Sequence, residues 1–530
     1  MMKIRKKRGV SLILVSGVLL VLLLMSGCGN DKNKIYAPVS GLDENQQLTL
    51  KIAIPYETNK ALNIVSNAFM AKYPNVNIQL EYIENYDSNA VQLFKQNSLD
   101  IILQKDIVYE EYTVTDKNTG KKIPTGTTTE DFFYNFAADG EIDFSHTAVS
   151  ITNNYRHTRT DGNGGEILYQ YTYPLGGEIR GIFVNLTLLD SLGLSVPANY
   201  PEFVQCCETL KQAGYVAIQG NPGTLAYGLG IAQAANTVVH DAGALEKMAR
   251  AEAGVSRCFE DTMGKLYQLA VNRYCDYKAI EDIGFFRDST EFGQARGFLG
   301  LSYDSRTFET RKPENNFGSV AFFPYLSSAE TIIRSLIEDN GLDTNFKFVC
   351  SPLNDEGVNS PIYITPYFGI CANKNSDNLI WIREFVNFLF QEDNIKTYAK
   401  AASIIPNSQD ALRYVADNYG LNVDTDITLC GQIKFSNDYN GFTPLASGLA
   451  NVVKCNARKY MVDLCRDADG SVQYKTDATG KEYLCLGNGE TVVYKEFVGE
   501  EDSAAPGFAF CTLTYYLNDL DSAFARYRSL

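Results

Sequence analysis

The sequence predicts an α/β protein with parallel sheets, and three observations carry that expectation. Residues 48–104 run strand, helix, strand, helix, strand, the order from which parallel sheets are built. The same alternation returns over 362–412, after a long interval with strands and helices of its own. About 500 residues follow the N-terminal leader, more than one hydrophobic core accommodates, so two or three domains are expected.

The elements follow from local periodicity. Leu48 to Ile54 alternates and reads as a strand. Leu62, Val65, Phe69 and Tyr73 recur at helical spacing, and Pro74 stops that helix. Val76, Ile78, Leu80 and Tyr82 alternate with Asn77, Gln79 and Glu81, a half-buried strand. A second helix is expected from about Ser88 to Asn97, then a short apolar strand from Asp100 to Leu103 with Asp100 structural. Residues 113–127 interrupt the pattern with a polar hairpin turn, read as a surface insertion. A new unit begins near Tyr173-Pro174. It holds a strand over Gly181–Asn185, a helix from Glu202 to Ala213 between Pro201 and Gly214, helices over roughly 243–283, and strands at Phe317–Phe323 and Phe346–Cys350. Beyond it come a strand over Tyr363–Ala372 and helices at Asn378–Phe390 and 392–402. A helix near 444–463, a charged hairpin-like segment over 466–500 and a last helix from Leu517 to Arg528 complete the chain. No internal repeat is visible.

The first 28 residues state an address. Lys3, Arg5, Lys6, Lys7 and Arg8 precede an apolar run from Val10 to Met25, and small residues then lead to Cys28. A basic start, a short apolar stretch and a small-residue cleavage site make a secretory signal. That apolar run spans only about 24 Å as a helix, short of the roughly 30 Å of a hydrocarbon core. Met25-Ser26-Gly27-Cys28 resembles a bacterial lipobox, which implies removal of 1–27 and acylation of Cys28 with a palmitate-type chain. Residues 28–47 are polar and aperiodic and read as a tether. The expected address is the outer face of a cell membrane, lipid-anchored, in a Gram-positive-type bacterium.

Composition narrows the function. The formal charge is −16, and about −21 without the five leader cations, so the basic footprint of a nucleic-acid binder is missing. Cys28 aside, eleven cysteines remain, an odd number at irregular spacing with no Cys-x-x-Cys. Most sit in apolar stretches and read as small buried hydrophobes. A disulfide among Cys455, Cys465 and Cys485 stays open. His146, His157 and His240 show no metal-ligand spacing, and no Gly-x-Ser-x-Gly, His-Glu-x-x-His or phosphate-cradling loop occurs. Asp467-Ala468-Asp469-Gly470 reads as a turn, since Cys465 stands where an EF-hand needs its first ligand. No cofactor, metal or catalytic residue is assigned, and the chain is expected not to be an enzyme. A secreted hydrolase with paired carboxylates is the rival from that class.

Four segments carry a resemblance to a known family. They are Ala68-Phe69-Met70-Ala71-Lys72-Tyr73-Pro74-Asn75-Val76; Leu99-Asp100-Ile101-Ile102; Phe183-Val184-Asn185 with Leu192-Gly193-Leu194, Val196-Pro197 and Tyr200-Pro201-Glu202-Phe203; and Trp381 to Leu389 with Ile405-Pro406-Asn407. In this order and spacing they resemble the family 1, sugar-binding type of extracellular solute-binding lipoproteins of ABC importers. The resemblance covers 48 to about 412. It implies a two-lobed periplasmic-binding-protein-like fold (type II), each lobe a mainly parallel sheet flanked by helices, joined by a hinge. Lobe 1 would be 48–173 plus 364–428 and lobe 2 would be 174–363 plus 429–530, with 113–127 and 466–506 as insertions. Crossings are expected near Tyr173–Glu178, Pro361–Tyr367 and 425–435. The implied partners are a small polar solute, a carbohydrate first, and the permease subunits of an ABC transporter, with the chain itself a monomer. A ligand-sensing lipoprotein for a signalling receptor would have the same sequence.

In open α/β sheets ligands sit beyond the carboxyl ends of strands. That rule and the resemblance together select Tyr56, Glu57 and Asn59 after the first strand, and Gln104 and Asp106 after the third. Tyr173, Glu178 and Arg180 come from one crossover and Tyr367 from the other. Tyr325 follows the Phe317 strand, and Phe442 precedes the 444–463 helix. Flat aromatic faces cover the C–H patches of a sugar ring, while carboxylates and amides satisfy its hydroxyls. Tyr56 and Tyr367 read equally as packing residues, and Arg180 equally as an ion pair between lobes. The single tryptophan, Trp381, is expected on a lobe-surface helix, so stacking falls to Tyr and Phe.

Overall fold

The structure is a computed structural model. It describes residues 36–55, 59–117, 119–161, 164–231, 233–234, 237, 241–275, 291–304, 309–349, 355, 364–409, 442–493 and 497–528. The chain divides into Met1–Pro38 and Val39–Leu530, and every element below lies in the second unit.

Strand β1 (Leu48–Ile54) buries Leu50, Ile52 and Ile54 and leaves Lys51 exposed. Helix α1 (Asn59–Lys72) carries the chain over to β2 (Val76–Tyr82), which pairs with β1 in parallel from Leu48↔Val76 to Ile54↔Tyr82. Helix α2 (Tyr86–Lys95) starts earlier than the apolar spacing suggests, because Asn85 takes a left-handed conformation (φ 50°) just before it. Its Ala90 and Phe94 pack on Ala53 and Ile102, so this sheet is covered on both faces. β3 (Ile101–Gln104) adds to the other side of β1. As expected, Asp100 is structural: its carboxylate accepts the Lys51 N–H at 2.8 Å and the Ser376 hydroxyl at 2.5 Å.

Two hairpins follow, β4 (Glu111–Thr115) with β5 (Lys122–Thr128) and β6 (His157–Thr160) with β7 (Glu166–Tyr169). β8 (Tyr173–Pro174) closes the first sheet, and β9 (Gly176–Asn185) is the centre of the second. Helix α3 (Tyr200–Gln212) leads to β10 (Val216–Ile218). Helices α4 (Glu260–Val271) and α5 (Glu291–Phe298) and a small hairpin, β11 (Ser302–Asp304) with β12 (Glu309–Arg311), precede β13 (Val320–Leu326). Then come α6 (Glu330–Asn340), β14 (Phe346–Val349), β15 (Ile364–Pro366), β16 (Gly369–Ala372), α7 (Leu379–Leu389), α8 (Glu392–Ala402) and β17 (Ile405–Pro406). Helix α9 (Phe442–Val453) ends ten residues before its expected limit, since Met461–Asp463 (β18) leaves to pair with β22 (Phe508–Phe510). Strands β19 (Tyr474–Thr476), β20 (Glu482–Cys485) and β21 (Thr491–Val493) form a sheet of their own, and α10 (Leu513–Arg528) ends the fold.

The α/β expectation holds, with two main sheets. The first has the order β2-β1-β3-β16-β8 and the second β10-β13-β9-β14. Both are mixed: β2, β1 and β3 are parallel, as are β10 and β13, while the remaining pairs run antiparallel. The reason is connectivity. β8–β9 and β15–β16 are nearly continuous stretches that leave one sheet and enter the other in opposite directions. β15 pairs with the start of β9 (Thr365↔Glu178), and β16 pairs with β3 (Gly369↔Gln104). The passages between sheets fall at Leu175 and at Tyr367-Phe368. There the Leu175 N–H donates to the Phe368 carbonyl at 3.1 Å and the Tyr367 N–H to Gly176 at 3.2 Å. β17 joins them, pairing Ile405 with Gly177. The stretch 425–435 lies outside the described residues.

Strand alternation sends β9 side chains to two cores. Ile182 and Val184 pack with Phe203, Phe322, Leu449 and Leu520 on one face, and Ile179 and Phe183 with Phe298, Phe323 and Ile333 on the other. Trp381 departs from expectation. It is fully buried on α7, edge-on to Tyr73 at 5.3 Å, because α7 packs against α1 rather than lying on the surface.

The additional hairpins share one turn. In Asp161–Gly165, Asp467–Ser471, Asp477–Lys481 and Leu486–Glu490 the first N–H donates to the fifth carbonyl, and the fourth N–H donates back to the first. A glycine sits at the fourth position, as at Gly480 (φ 82°), where left-handed backbone is required. Asp116–Lys121 repeats it with one more residue. The repeat lies in backbone hydrogen bonding, and the sequence marks it only by that glycine and, in three of the four turns, by an aspartate at the first position.

Candidate functional site

At their carboxyl ends β1 and β3 part. Their ladder covers only Ile52↔Ile101 and Ala53↔Ile102. Beyond it the Tyr86 hydroxyl stands between the strands, accepting the Leu103 N–H and donating to the Ala53 carbonyl, both at 2.9 Å. A crevice at the carboxyl end of a sheet is where such folds take ligands. Gln104 and Asp106 lie on its rim. Gln104 Nε2 is buried and has no hydrogen-bond partner among the described residues, and the same is true of Asp106 Oδ1. The other oxygen, Asp106 Oδ2, meets His157 Nε2 at 2.9 Å. A buried donor and a buried acceptor left unmade each cost about 1–3 kcal/mol, so this rim is poised for polar groups from outside the chain.

Aromatic side chains back the rim. The His157 ring lies 5.4 Å from Tyr169, which stacks on Tyr171 at 4.9 Å. Arg159 donates to Glu130 at 2.6 Å and sits 4.6 Å from the Tyr109 ring. Lys105 Nζ is 5.5 Å from the Phe368 ring, on the crossing strand.

The crossing brings residues of the second sheet to the same place. Tyr155 is fully buried and donates its hydroxyl to the Tyr367 carbonyl. Burial pushes that hydroxyl well above its ordinary value, and the charges of Asp106 and Glu178 add to the effect. One buried phenol thus feels a carboxylate from each sheet. Glu178 accepts from the Ser328 hydroxyl, and Ser327 Oγ accepts the Ile179 N–H at 3.1 Å. Arg180 is the one residue of β9 that is not fully buried, opposite Leu326 in the ladder. Tyr325 is half-buried at the end of β13 and stacks on Phe323 at 5.0 Å.

Other selected residues sit differently. Tyr173 is a packing residue in this structure: it stacks on Phe144 at 3.6 Å, and its hydroxyl meets Thr147 at 3.0 Å. Burial pushes that hydroxyl up to about 12. Tyr367 is buried between the crossing strands. Cys28, Tyr56 and Glu57 lie outside the described residues, as do the side chains of Asn59 and Phe442.

A polar cluster of the second sheet escaped the sequence reading. Gln219 directly follows β10, donates its N–H to Phe322 at 2.8 Å and its Nε2 to the Gln294 carbonyl at 3.1 Å. Thr224 Oγ1 bonds Gln294 Oε1 at 2.5 Å. Gln219 Oε1 and Gln233 Oε1 are buried without partners among the described residues. The strand-end rule would have found Gln219, had the three-residue Val216–Ile218 run been taken as a strand.

No group of three His, Cys, Asp or Glu that could hold a metal occurs among the described residues. Cys371, which lies near Asp106, is buried, and burial pushes its thiol up to about 12, the wrong direction for a nucleophile.

No protein-family model matches the sequence, and no curated protein matches it. Among solved structures the chain is similar to the solute-binding protein RafE in complex with raffinose, at 12% identity, over 91% of this chain and 99% of that one, with a TM-score of 0.48. It is similar to a binding protein of an ABC transporter from Bifidobacterium animalis subsp. lactis in complex with mannobiose, at 12% identity over 94% and 100%, TM-score 0.48. It is also similar to a structure from work on xylan utilisation by Caldanaerobius polysaccharolyticus, at 13% identity over 78% and 97%, TM-score 0.49.

Proposed function

We propose that the chain is an extracellular, lipid-anchored solute-binding protein. It captures a small polar solute, a carbohydrate first, between two lobes and delivers it to the permease of an ABC transporter. The lobes are 48–173 with 364–428 and 174–363 with 429–530, and the crossing strands between them act as the hinge. Cys28 carries the acyl anchor and 28–47 the tether, so a monomeric binder stays beside its permease.

The observation that carries this reading is a set of four buried polar atoms without hydrogen-bond partners among the described residues, three of them at or just past strand ends. Gln104 Nε2 and Asp106 Oδ1 stand at and just past the end of β3, Gln219 Oε1 just past the end of β10, and Gln233 Oε1 in the helical stretch that follows. One donor and three acceptors suit a ligand rich in hydroxyls, which donate and accept at once. Capture without turnover is the chemistry proposed for these atoms.

The test is a thermal-shift and calorimetric screen of oligosaccharides, polyols and peptides against the purified chain. A carbohydrate that raises the melting temperature by mass action, binds without turnover and compacts the protein in solution scattering supports the reading. A micromolar ligand supplies about 8 kcal/mol, ample to favour a closed state. Turnover of the hit, or binding with no compaction, would overturn it. Cys28→Ala should release the protein from the membrane and leave affinity unchanged.

A further inference from the structure

The β4–β5 hairpin is an arm whose charge opposes that of the rest of the chain. At its base Tyr112 packs on Phe132, ring centroids 6.1 Å apart, with Lys95 Nζ 3.2 Å from the Tyr112 ring. Two residues further out Val114 is 56% exposed, and its cross-strand partner Ile123 is 47% exposed. The arm therefore leaves the body between Tyr112 and Val114. Its turn carries Lys117, Lys121 and Lys122, all exposed, against the single acid Asp116. Among the described residues no ion pair joins any of the three lysines to an acid. The tip is thus net positive on a chain of −16.

We propose that this arm docks on anionic phospholipid headgroups at the membrane surface. Three unneutralised lysines match a layer of phosphate diesters, and the Val114–Ile123 pair supplies apolar surface at the depth of the headgroups. The acidic body is repelled by the same surface, so the tip is the part of the chain that an anionic bilayer attracts. Length permits this. Residues 113–116 extend about 13 Å at strand rise, beyond the screening length of about 8 Å at physiological salt. The tip can reach the lipid while the body stays outside the range of repulsion. The inference rests on the proposed placement beside a membrane and adds an orientation to it.

The experiment mixes the full chain with vesicles of phosphatidylglycerol or of phosphatidylcholine and follows hydrogen exchange over residues 112–125. Exchange should slow with phosphatidylglycerol alone and recover as salt is raised. The triple variant Lys117→Gln, Lys121→Gln, Lys122→Gln should raise the half-saturating lipid concentration about a hundredfold, on the order of fivefold per lysine. Its melting temperature should stay unchanged, because no described contact is lost. No slowing with phosphatidylglycerol, equal slowing with phosphatidylcholine, or an unaltered triple variant would overturn the proposal. So would equal protection by soluble inorganic polyphosphate, which marks a free polyanion as the partner. Flotation of the same mixtures in molar salt reads the acyl anchor separately. A chain that fails to float refutes the anchor and leaves the exchange result interpretable.

Discussion

Arg383 holds Asp139 in a two-pronged grip, Nε to Oδ2 at 2.8 Å and Nη2 to Oδ1 at 2.9 Å. The same guanidinium reaches Glu141 at 2.9 Å, and the next residue on α7, Glu384, accepts the Val39 N–H at 2.8 Å and the Tyr73 hydroxyl at 2.6 Å. One turn of α7 thus clasps the start of the folded body and the segment that leads to the crossings.

This grip predicts an acid dependence. Burial raises the Asp139 carboxyl, but Arg383, the Glu141 N–H and the Tyr134 hydroxyl outweigh it and hold it down to about 2. A depressed carboxylate stabilises the fold above its ordinary value near pH 4, and the contribution fades as pH falls toward 2. Urea unfolding between pH 2 and 6 should show this slope, and Asp139→Asn should flatten it. Arg383→Ala leaves a buried carboxylate without its counter-ion and should cost about 3 kcal/mol at pH 7.

Gln104→Leu separates binding from stability. The Gln104 amide nitrogen is buried and has no partner among the described residues, so its removal should leave the melting temperature unchanged or raise it slightly. The same variant should lose about tenfold or more in ligand affinity by calorimetry. A variant that melts lower and binds normally would show a structural role instead.

Gly176 allows the crossing strands to touch. A Cβ there would run into the Ile405 carbonyl oxygen, with Ile404 Cδ1 at 2.9 Å. Gly176→Ala should cost about 2 kcal/mol or more and alter any ligand-driven compaction seen by scattering. Ala at Gly480, whose Cβ would meet nothing within 4 Å, pays only for its left-handed backbone and should leave compaction intact.

The described thiols should be slow to react. Seven of nine are buried, and Cys455, Cys465 and Cys485 form no disulfide with one another. Burial pushes Cys206 and Cys511 up to about 11 and holds Cys207 and Cys455 well above their ordinary value. Alkylation of the native chain near pH 8, mapped by mass spectrometry, should mark Cys258 and Cys465 first. The buried seven should label at the rate of unfolding.

The earliest elements were legible because their signal is local. β1, α1 and β2 need only a period of 2 or 3.6 within ten residues, and the structure places them as that period requires. Trp381 was misplaced for the complementary reason. α7 is amphipathic by sequence, yet α1 covers the face that looked exposed. Tyr173 was selected as an aromatic face for a ligand, and Phe144, twenty-nine positions away, already occupies that face.

From its residues alone the chain declared an α/β order and an acidic composition without the catalytic motifs sought in it. These are properties of composition and short-range period, complete within a window of the sequence. Which polar atoms are left unmade could not be read that way. Gln219 gains its place from Gln294, Tyr155 from Tyr367 and Gln104 from Gly369. A hydrogen bond is satisfied or orphaned by the position of its partner, and for these residues the partner lies 75 to 265 positions along the chain. Folding alone brings such pairs together, so the polar rim becomes visible only when the two sheets are joined through their crossing strands.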